Sequence, residues 1–86
     1  MTNETLIEFP AQISIKAMGL HQDEFERLVT ELVYPHIDAA AATVSRLPSK
    51  NGKYLSVSVH FTAVDLAQLH TIYAALKQEP RVLYIL

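Results

Sequence analysis

The sequence predicts an α+β domain in which two helices cover one face of a four-stranded antiparallel sheet. Short segments with apolar residues at alternate positions predict strands, and two segments with apolar residues at helical spacing predict helices. These segments follow one another in the order β-α-β-β-α-β. The chain has 86 residues, 50% of them hydrophobic and 19% charged, which suits one modest core and leaves no room for a second domain.

The first strand is predicted in residues 9–19, FPAQISIKAMG. Pro10 would stand at its start, where a missing N–H is tolerated, and Gly19 would end it. The residues expected to face the core are Ile13, Ile15 and Ala17. The residues expected on the opposite face are Gln12, Ser14, Lys16 and Met18.

The first helix is predicted in residues 21–34, with an apolar stripe of Phe25, Leu28, Val29 and Leu32. Asp23 and Glu24 are expected in its first turn, where carboxylates suit the positive end of the helix dipole. Pro35 disfavours helical geometry at Tyr34, so the regular helix should end there. Alanines 39–42 can carry a further helical turn, whose boundary the sequence leaves open.

Residues 43–47 and 54–62 are predicted as two strands of a hairpin. Asn51–Gly52 between them is a strong turn signal, because both residues tolerate positive φ. The core-facing residues of the second strand alternate cleanly with polar ones: Leu55, Val57, Val59 and Phe61.

The second helix follows, with Leu66, Leu69, Ile72, Tyr73 and Leu76 on one stripe. Thr62 is its expected N-cap, with Asp65 three residues on as a weak capping box. The last strand is predicted in residues 81–86, RVLYIL. Two right-handed crossovers in this order give a ferredoxin-like βαββαβ sandwich, with strand order 4-1-3-2 and both helices on one face. Residues 1–7 are expected to form a flexible tail, and residues 8–86 the domain.

Composition excludes several classes of function. The chain has no cysteine, which excludes disulfides, thiolate metal sites and cysteine nucleophiles. The N-terminal sequence MTNETLIEFP lacks the features of a signal peptide, and no apolar run approaches the ~20 residues that span a bilayer. A cytoplasmic protein without membrane association is therefore expected. The net charge of −2 gives no electrostatic footprint for nucleic acid.

The uncovered face of the predicted sheet is the first candidate site. It would carry Lys16 among hydroxyl and imidazole side chains, chiefly Ser14, Thr43, Ser45, Ser56, Ser58 and His60. Such a face can meet a polar ligand or a partner protein, but the pattern favours a solvated surface. RNA-binding domains of this topology place aromatic residues at the centre of the sheet to stack bases. Small hydroxyls at those positions make RNA binding the weakest of these interpretations.

No catalytic or metal-binding pattern stands out. Ser58 and His60 share a strand face, but a nucleophile also needs a third group to hold the base and an oxyanion hole. The histidines His21, His36, His60 and His70 lack metal-ligand spacing, so neither a metal nor a cofactor is expected. Residues 49–53, SKNGK, do not match a phosphate-binding loop and are interpreted as a solvated turn, with contact to an acidic partner as the alternative. An enzyme is not predicted.

Gly19 and the last strand complete the candidates. Gly19 lies where the first strand turns into the first helix, and the absence of Cβ there serves either the turn itself or the close approach of a ligand. The last strand would lie at the sheet edge, where Leu83 and Ile85 could pair with a second copy of the chain or with a partner. Alternatively, the N-terminal tail covers that edge.

Several stretches of the sequence resemble the YbeD-like family of small bacterial proteins. The resemblance rests on FP (9–10), IKAMG (15–19), SKNGKYLSVSV (49–59) and LHTIYAALKQEPRVLYIL (69–86), and it spans residues 9–86. Members are similar in fold to ACT domains, ferredoxin-like modules that bind amino acids and regulate metabolic enzymes. The resemblance implies a regulator, with a ligand site near the glycine-bearing turn, onto which only Gly19 carries over.

The sequence therefore predicts a non-enzymatic regulatory or adaptor domain. It would self-associate or dock on a partner protein, and a small-molecule effector could bind near Lys16 and Gly19. The alternative is a pure protein-interaction module that uses the last strand and the open sheet face. Nucleic acid is not an expected partner.

Overall fold

The four strands form one antiparallel sheet in the order β2-β3-β1-β4. The structure is a computed structural model that describes residues 7–86, so residues 1–6 of the predicted tail lie outside the described residues. The strands are β1 (Ala11–Leu20), β2 (Thr43–Pro48), β3 (Tyr54–Ala63) and β4 (Tyr84–Ile85). This is the predicted order read from the opposite edge, and the ferredoxin-like fold is confirmed.

The core lies between the sheet and two helices, α1 (Phe25–Val33) and α2 (Leu66–Lys77). β1 pairs with β3 along its whole length, from Ala11 opposite Ala63 to Leu20 opposite Tyr54. This register places the odd-numbered residues of both strands on the helix side, where most are buried as the periodicity predicts and Ile13 is partly buried. The buried strand residues are Ile15, Ala17, Leu55, Val57, Val59, Phe61 and Ala63.

The start of α1 differs from the prediction. Asp23 and Glu24, expected in the first helical turn, both have left-handed backbones with φ of 53° and 55°. The helix begins only at Phe25 because the chain must turn sharply as it leaves β1. The Arg81 guanidinium fixes this turn by donating hydrogen bonds to the carbonyl oxygens of Gln22 (2.8 Å) and Asp23 (2.7 Å). That long-range contact overrides the local preference of the carboxylates.

The capping residue of α2 also differs. Thr62, expected as the N-cap, lies within β3, which continues to Ala63. Asp65 is the N-cap instead, and its Oδ1 accepts a hydrogen bond from the backbone N–H of Gln68 at 2.8 Å. The correction follows from strand pairing, because Thr62 is still opposite Gln12 in the sheet.

The connections behave largely as expected. α1 ends at Val33, and Pro35 lies in the short 3-10 turn Tyr34–His36 that follows. The alanine run forms a second 3-10 turn, Ala39–Ala41, rather than an α-helical extension.

The hairpin between β2 and β3 is confirmed, although its turn is wider than two residues. Within this turn Gly52 has a positive φ, of 79°, whereas Asn51 does not. The N–H of Gly52 donates to the carbonyl oxygen of Ser49 (2.9 Å), and the N–H of Lys53 donates to Asn51 Oδ1 (3.0 Å). The asparagine thus shapes the turn through its side chain.

The last strand is much shorter than predicted. The ladder to β1 includes only Tyr84–Ile85, flanked by backbone hydrogen bonds at Leu83 and Leu86. The preceding residues form a turn, in which the N–H of Val82 donates to the carbonyl oxygen of Glu79. The chain needs this turn to pass from the end of α2 to the sheet edge. The long apolar edge expected in residues 81–86 is therefore absent, and very short edge strands resist pairing with other chains.

Gly19 occupies a tight junction between β1, α1 and the segment before β4. It is buried, and a Cβ built on it would lie 2.5 and 2.7 Å from Cε1 and Cζ of Phe25 and against the carbonyl oxygen of Arg81. These separations are too short for a real side chain. The missing Cβ thus allows a phenylalanine ring and a backbone carbonyl to approach, and together they fill the space beside the glycine.

We expect Gly19→Ala to lower the free energy of unfolding by about 3 kcal/mol, because the added methyl group overpacks this junction. Gly52→Ala is the matched control, since nothing lies within 4 Å of its Cβ position. The control should lose about 1 kcal/mol from backbone strain at positive φ alone. Urea unfolding of both variants measures the difference, and an equal loss in the two would contradict the tight junction.

Candidate functional site on the open face of the sheet

Within residues 7–86, no helix covers the face of the sheet opposite α1 and α2, and we call it the open face. The register that buries the odd-numbered residues of β1 and β3 directs their even-numbered residues here. The residues that share this face include Gln12, Ser14, Lys16, Met18, Thr43, Ser45, Leu47, Ser56, Ser58, His60, Thr62 and Tyr84. The sequence prediction of an open face with hydroxyl side chains around Lys16 agrees with this arrangement.

One half of the open face is polar and joined by hydrogen bonds. His60 lies at its centre, with Nδ1 2.7 Å from Ser14 Oγ on β1 and Nε2 2.9 Å from Ser45 Oγ on β2. In a neutral imidazole one of these nitrogens donates and the other accepts, and a hydroxyl can answer either role. The imidazole therefore ties the three long strands together across the open face.

In this geometry His60 connects neighbouring strands through hydrogen bonds. Both ring nitrogens already have hydroxyl partners, and neither partner is Ser58, the neighbour considered as a nucleophile. Ser58 instead stands opposite Lys16 on one side and Ser45 on the other.

The other half of the open face is apolar. The register aligns Leu47, Ser56, Met18 and Tyr84 in one row across all four strands. Leu47 is 70% exposed and Tyr84 is 64% exposed. Leu86, which is 76% exposed, lies beside the row because its backbone pairs with that of Lys16.

A cleft of about 300 Å³ lies in this apolar half, and we call it the open-face cleft. Its lining residues are Lys16, Met18, Ser56, Tyr84 and Leu86. The Lys16 ammonium and the hydroxyls of Ser56 and Tyr84 thus stand among mainly apolar surface. Within residues 7–86, no carboxylate forms a salt bridge with the Lys16 ammonium.

Four of the candidates chosen from sequence lie together on the open face. Lys16 and Ser56 line the cleft, Ser58 is beside Lys16, and His60 lies in the polar half. Parity along the strands was sufficient to group them, because alternate residues of a strand point to the same side.

The other three candidates lie elsewhere. Gly19 faces the helices, and Phe25 and Arg81 fill the space beside it. Ile85 also points inward, where it is partly buried against the core. Leu83 is 49% exposed and lines a different surface hollow, of about 200 Å³. Edge-strand recognition through residues 82–86 therefore has little strand to use.

Sequence reasoning missed Tyr84 and Leu86 as members of the site. Every residue in the last segment is apolar except Arg81, so no alternation reveals which side chains face outward. The pairing of Met18 with Tyr84 decides it. Met18 itself was assigned to the outward face but was not selected, since a lone methionine carries no chemical signal.

The charged residues around α1 form local ion pairs. Arg27 contacts Glu31 at 3.0 Å and Glu24 at 3.5 Å, and Arg46 contacts Glu26 at 3.2 Å. The hydrogen bond and charge of Glu31, and then those of Glu24, raise the pKa of Arg27 above its ordinary value. The acidic residues of α1 thus form a solvated, largely compensated surface.

The described residues contain neither a cluster of metal ligands nor a membrane-spanning helix. Residues 7–86 contain no group of three or more His, Asp or Glu side chains placed to hold a metal ion. In the same range no helix is long and apolar enough to cross a membrane.

The chain matches a family model described as a protein of unknown function (DUF493) over residues 4–86. The chain belongs to this family. A UPF0250 protein of Nitrosomonas europaea is 37% identical over 87 residues, covering all of both chains. A UPF0250 protein of Janthinobacterium sp. (strain Marseille) is 37% identical over 84 residues, covering 96% of this chain and 92% of its own. The predicted membership of a YbeD-like family of small, uncharacterised bacterial proteins is confirmed.

A solved structure supports the family fold. The solution structure of protein HP0495 from H. pylori matches with a TM-score of 0.66 and 17% sequence identity, covering 100% of this chain and 94% of that one. At this identity the likeness shows the fold alone. The family relatives give no biochemical activity, so function must be argued from the open face.

We expect Ser45 and His60 to be energetically coupled. A double-mutant cycle with Ser45→Ala, His60→Ala and both together should give a coupling free energy of about 0.5 kcal/mol, as for one solvent-exposed hydrogen bond. Urea unfolding measures each corner. The same cycle for Ser58 and His60 is the control and should give no coupling. Equal coupling in the two cycles would contradict the link between strands through the His60 imidazole.

Proposed function

We propose that this chain is a small, non-enzymatic regulatory domain that binds a small-molecule effector in the open-face cleft. The observation that carries the proposal is the cleft itself, where one ammonium and two hydroxyls stand among mainly apolar surface. Small-molecule sites have this composition, with a mainly apolar lining and a few polar groups that orient the ligand.

The position of the cleft suits regulation. Tyr84 and Leu86 line it from the last strand segment, and Lys16 and Met18 line it from β1. The last segment is held to the sheet by a two-residue ladder and a few flanking hydrogen bonds. A ligand in contact with both would hold the C-terminal segment against β1. Effector binding would thus be converted into the order of a surface that a partner protein can recognise.

A second candidate is a protein-interaction module without an effector. The observation in its favour is Leu47, which is 70% exposed and continues the apolar row beyond the cleft lining. An interface on this reading would use the open face, since β4 offers only two paired residues at the edge.

Nucleic-acid binding does not form part of the proposal. The central strands present Ser14, Lys16 and Ser58 where base-stacking aromatics would be needed. The ring of Tyr54, at the start of β3, is already in a cation–π contact with the Lys53 ammonium, which lies 5.5 Å from the ring centroid. The net charge of −2 also gives phosphate no general attraction.

We expect an effector to shift the backbone amide resonances of Met18, Ser56, Tyr84 and Leu86. A library of neutral, acidic, basic and zwitterionic metabolites, screened at millimolar concentration by ¹⁵N-resolved NMR, measures this. Shifts centred on residues 19–25 would contradict the proposal, because they would place the effector at the turn after β1. The proposal would also be contradicted if none of the compounds shifted these resonances.

The interaction module is distinguished by Leu47→Lys and Tyr84→Lys. Both variants place a charge on the exposed apolar row, but only Tyr84 lines the cleft. An effector-binding domain should lose its ligand response in Tyr84→Lys alone. A pure interaction module should show no ligand response in the parent chain and should lose self-association, measured by light scattering, in both variants.

A further inference from the structure

We infer that the open-face cleft takes a small apolar monocarboxylate: one carboxylate on an aliphatic or aromatic body. This assignment rests on the proposed function for the use of the site and adds the chemical class of its ligand. The size of the cleft, the charge of Lys16 and the chemistry of the lining side chains each narrow the class of ligand.

The cleft limits the size of the ligand. One water-sized group takes about 30 Å³, so a cleft of about 300 Å³ accommodates on the order of ten non-hydrogen atoms. This is the small end of the range for ligand pockets, which suits a small ligand better than a nucleotide or another large cofactor.

Lys16 sets the sign of the charge. Among the residues that the structure describes, it carries the only charged side chain in the cleft lining. Its backbone is fixed by reciprocal hydrogen bonds with Leu86, from Lys16 N–H (3.0 Å) and from Leu86 N–H (2.8 Å). An ammonium on a side chain whose backbone is fixed is a strong hydrogen-bond donor to a carboxylate, and the hydroxyl of Ser56 offers a second donor.

A single negative charge fits better than two. Phosphate sites typically combine several cations, a bidentate arginine or a row of free backbone N–H groups. The cleft supplies one ammonium, and the Lys16 and Leu86 N–H groups are already used by the sheet. A phosphate dianion would keep one charge without a partner.

An amino acid fits less well than a simple acid. Its ammonium group would need a carboxylate or a free carbonyl, and the lining contains no acidic side chain. Leaving that charge against Met18 and Leu86 would cost desolvation that no acidic side chain of the lining offsets. The side chains of Met18, Tyr84 and Leu86 instead suit an apolar body, which the methionine thioether and the tyrosine ring can contact on two sides.

The test uses three probes that share one apolar body: 3-phenylpropionate, 3-phenylpropanamide and phenylalanine. Each is titrated into ¹⁵N-labelled protein at low salt, and amide shifts at Met18 and Tyr84 report occupancy. We expect 3-phenylpropionate to bind with a Kd of about 1 mM, as suits a small ligand in an open cleft. The amide and the amino acid should each bind roughly fivefold to tenfold more weakly.

Lys16→Met keeps the length and apolar stem of the side chain and removes its charge. In this variant the acid should lose its advantage over the amide. Lys16→Gln gives a second charge-free variant should methionine disturb the sheet, and circular dichroism checks that both fold. Lys50→Met, on the hairpin turn and outside the cleft lining, is the matched control and should keep the advantage in full.

The outcomes separate the assignment from the proposed function. Equal binding of acid and amide in the cleft, or a preference for the acid that survives in both Lys16 variants, overturns the monocarboxylate assignment and leaves the effector site standing. Tighter binding of phenylalanine than of 3-phenylpropionate also overturns the assignment. No shift at the cleft with any probe or with the wider library overturns the assignment and the proposed function together.

Discussion

The pairing of β1 with β3 is the constraint on which the rest of the structure depends. Side chains alternate between the two faces of a sheet, so one register decides which residues reach the core and which reach the open face. In the observed register Ile15 and Ala17 are buried, whereas Lys16 and Met18 face outward. A slip of one residue would bury the lysine and expose the isoleucine. The core and the cleft are therefore two consequences of the same hydrogen-bonded ladder.

A second junction determines where a ligand can and cannot bind. At the end of β1, the absence of a side chain on Gly19 admits the Phe25 ring and the Arg81 carbonyl. The Arg81 guanidinium then holds the turn before α1. This junction draws the C-terminal segment onto the sheet, where Tyr84 and Leu86 come to line the open-face cleft. The space beside Gly19, considered as a ligand site, is filled by other parts of the protein. The space for a ligand lies on the opposite face of the sheet, in the open-face cleft.

The two halves of the open face differ in their need for an external partner. In the polar half the hydroxyls of Ser14 and Ser45 and the His60 imidazole bond to one another, which reduces their need for an external partner. In the apolar half Leu47, Tyr84 and Leu86 remain mostly exposed to water. Removing that apolar surface from water is favourable, so recognition should concentrate on the apolar half.

The sequence by itself determined the element order, the ferredoxin-like topology and the outward position of Lys16, Ser56, Ser58 and His60. Local rules suffice for these features, because periodicity fixes the apolar side of each element and Pro35 stops a helix. Tertiary structure decided what the local rules missed: the left-handed backbone at Asp23 and Glu24, the cap at Asp65, the short β4 and the outward faces of Tyr84 and Leu86. Each of these depends on contacts between residues far apart in the chain, such as Arg81 with Gln22 or Leu86 with Lys16. A pattern read within one segment contains no information about the partner that the segment will meet.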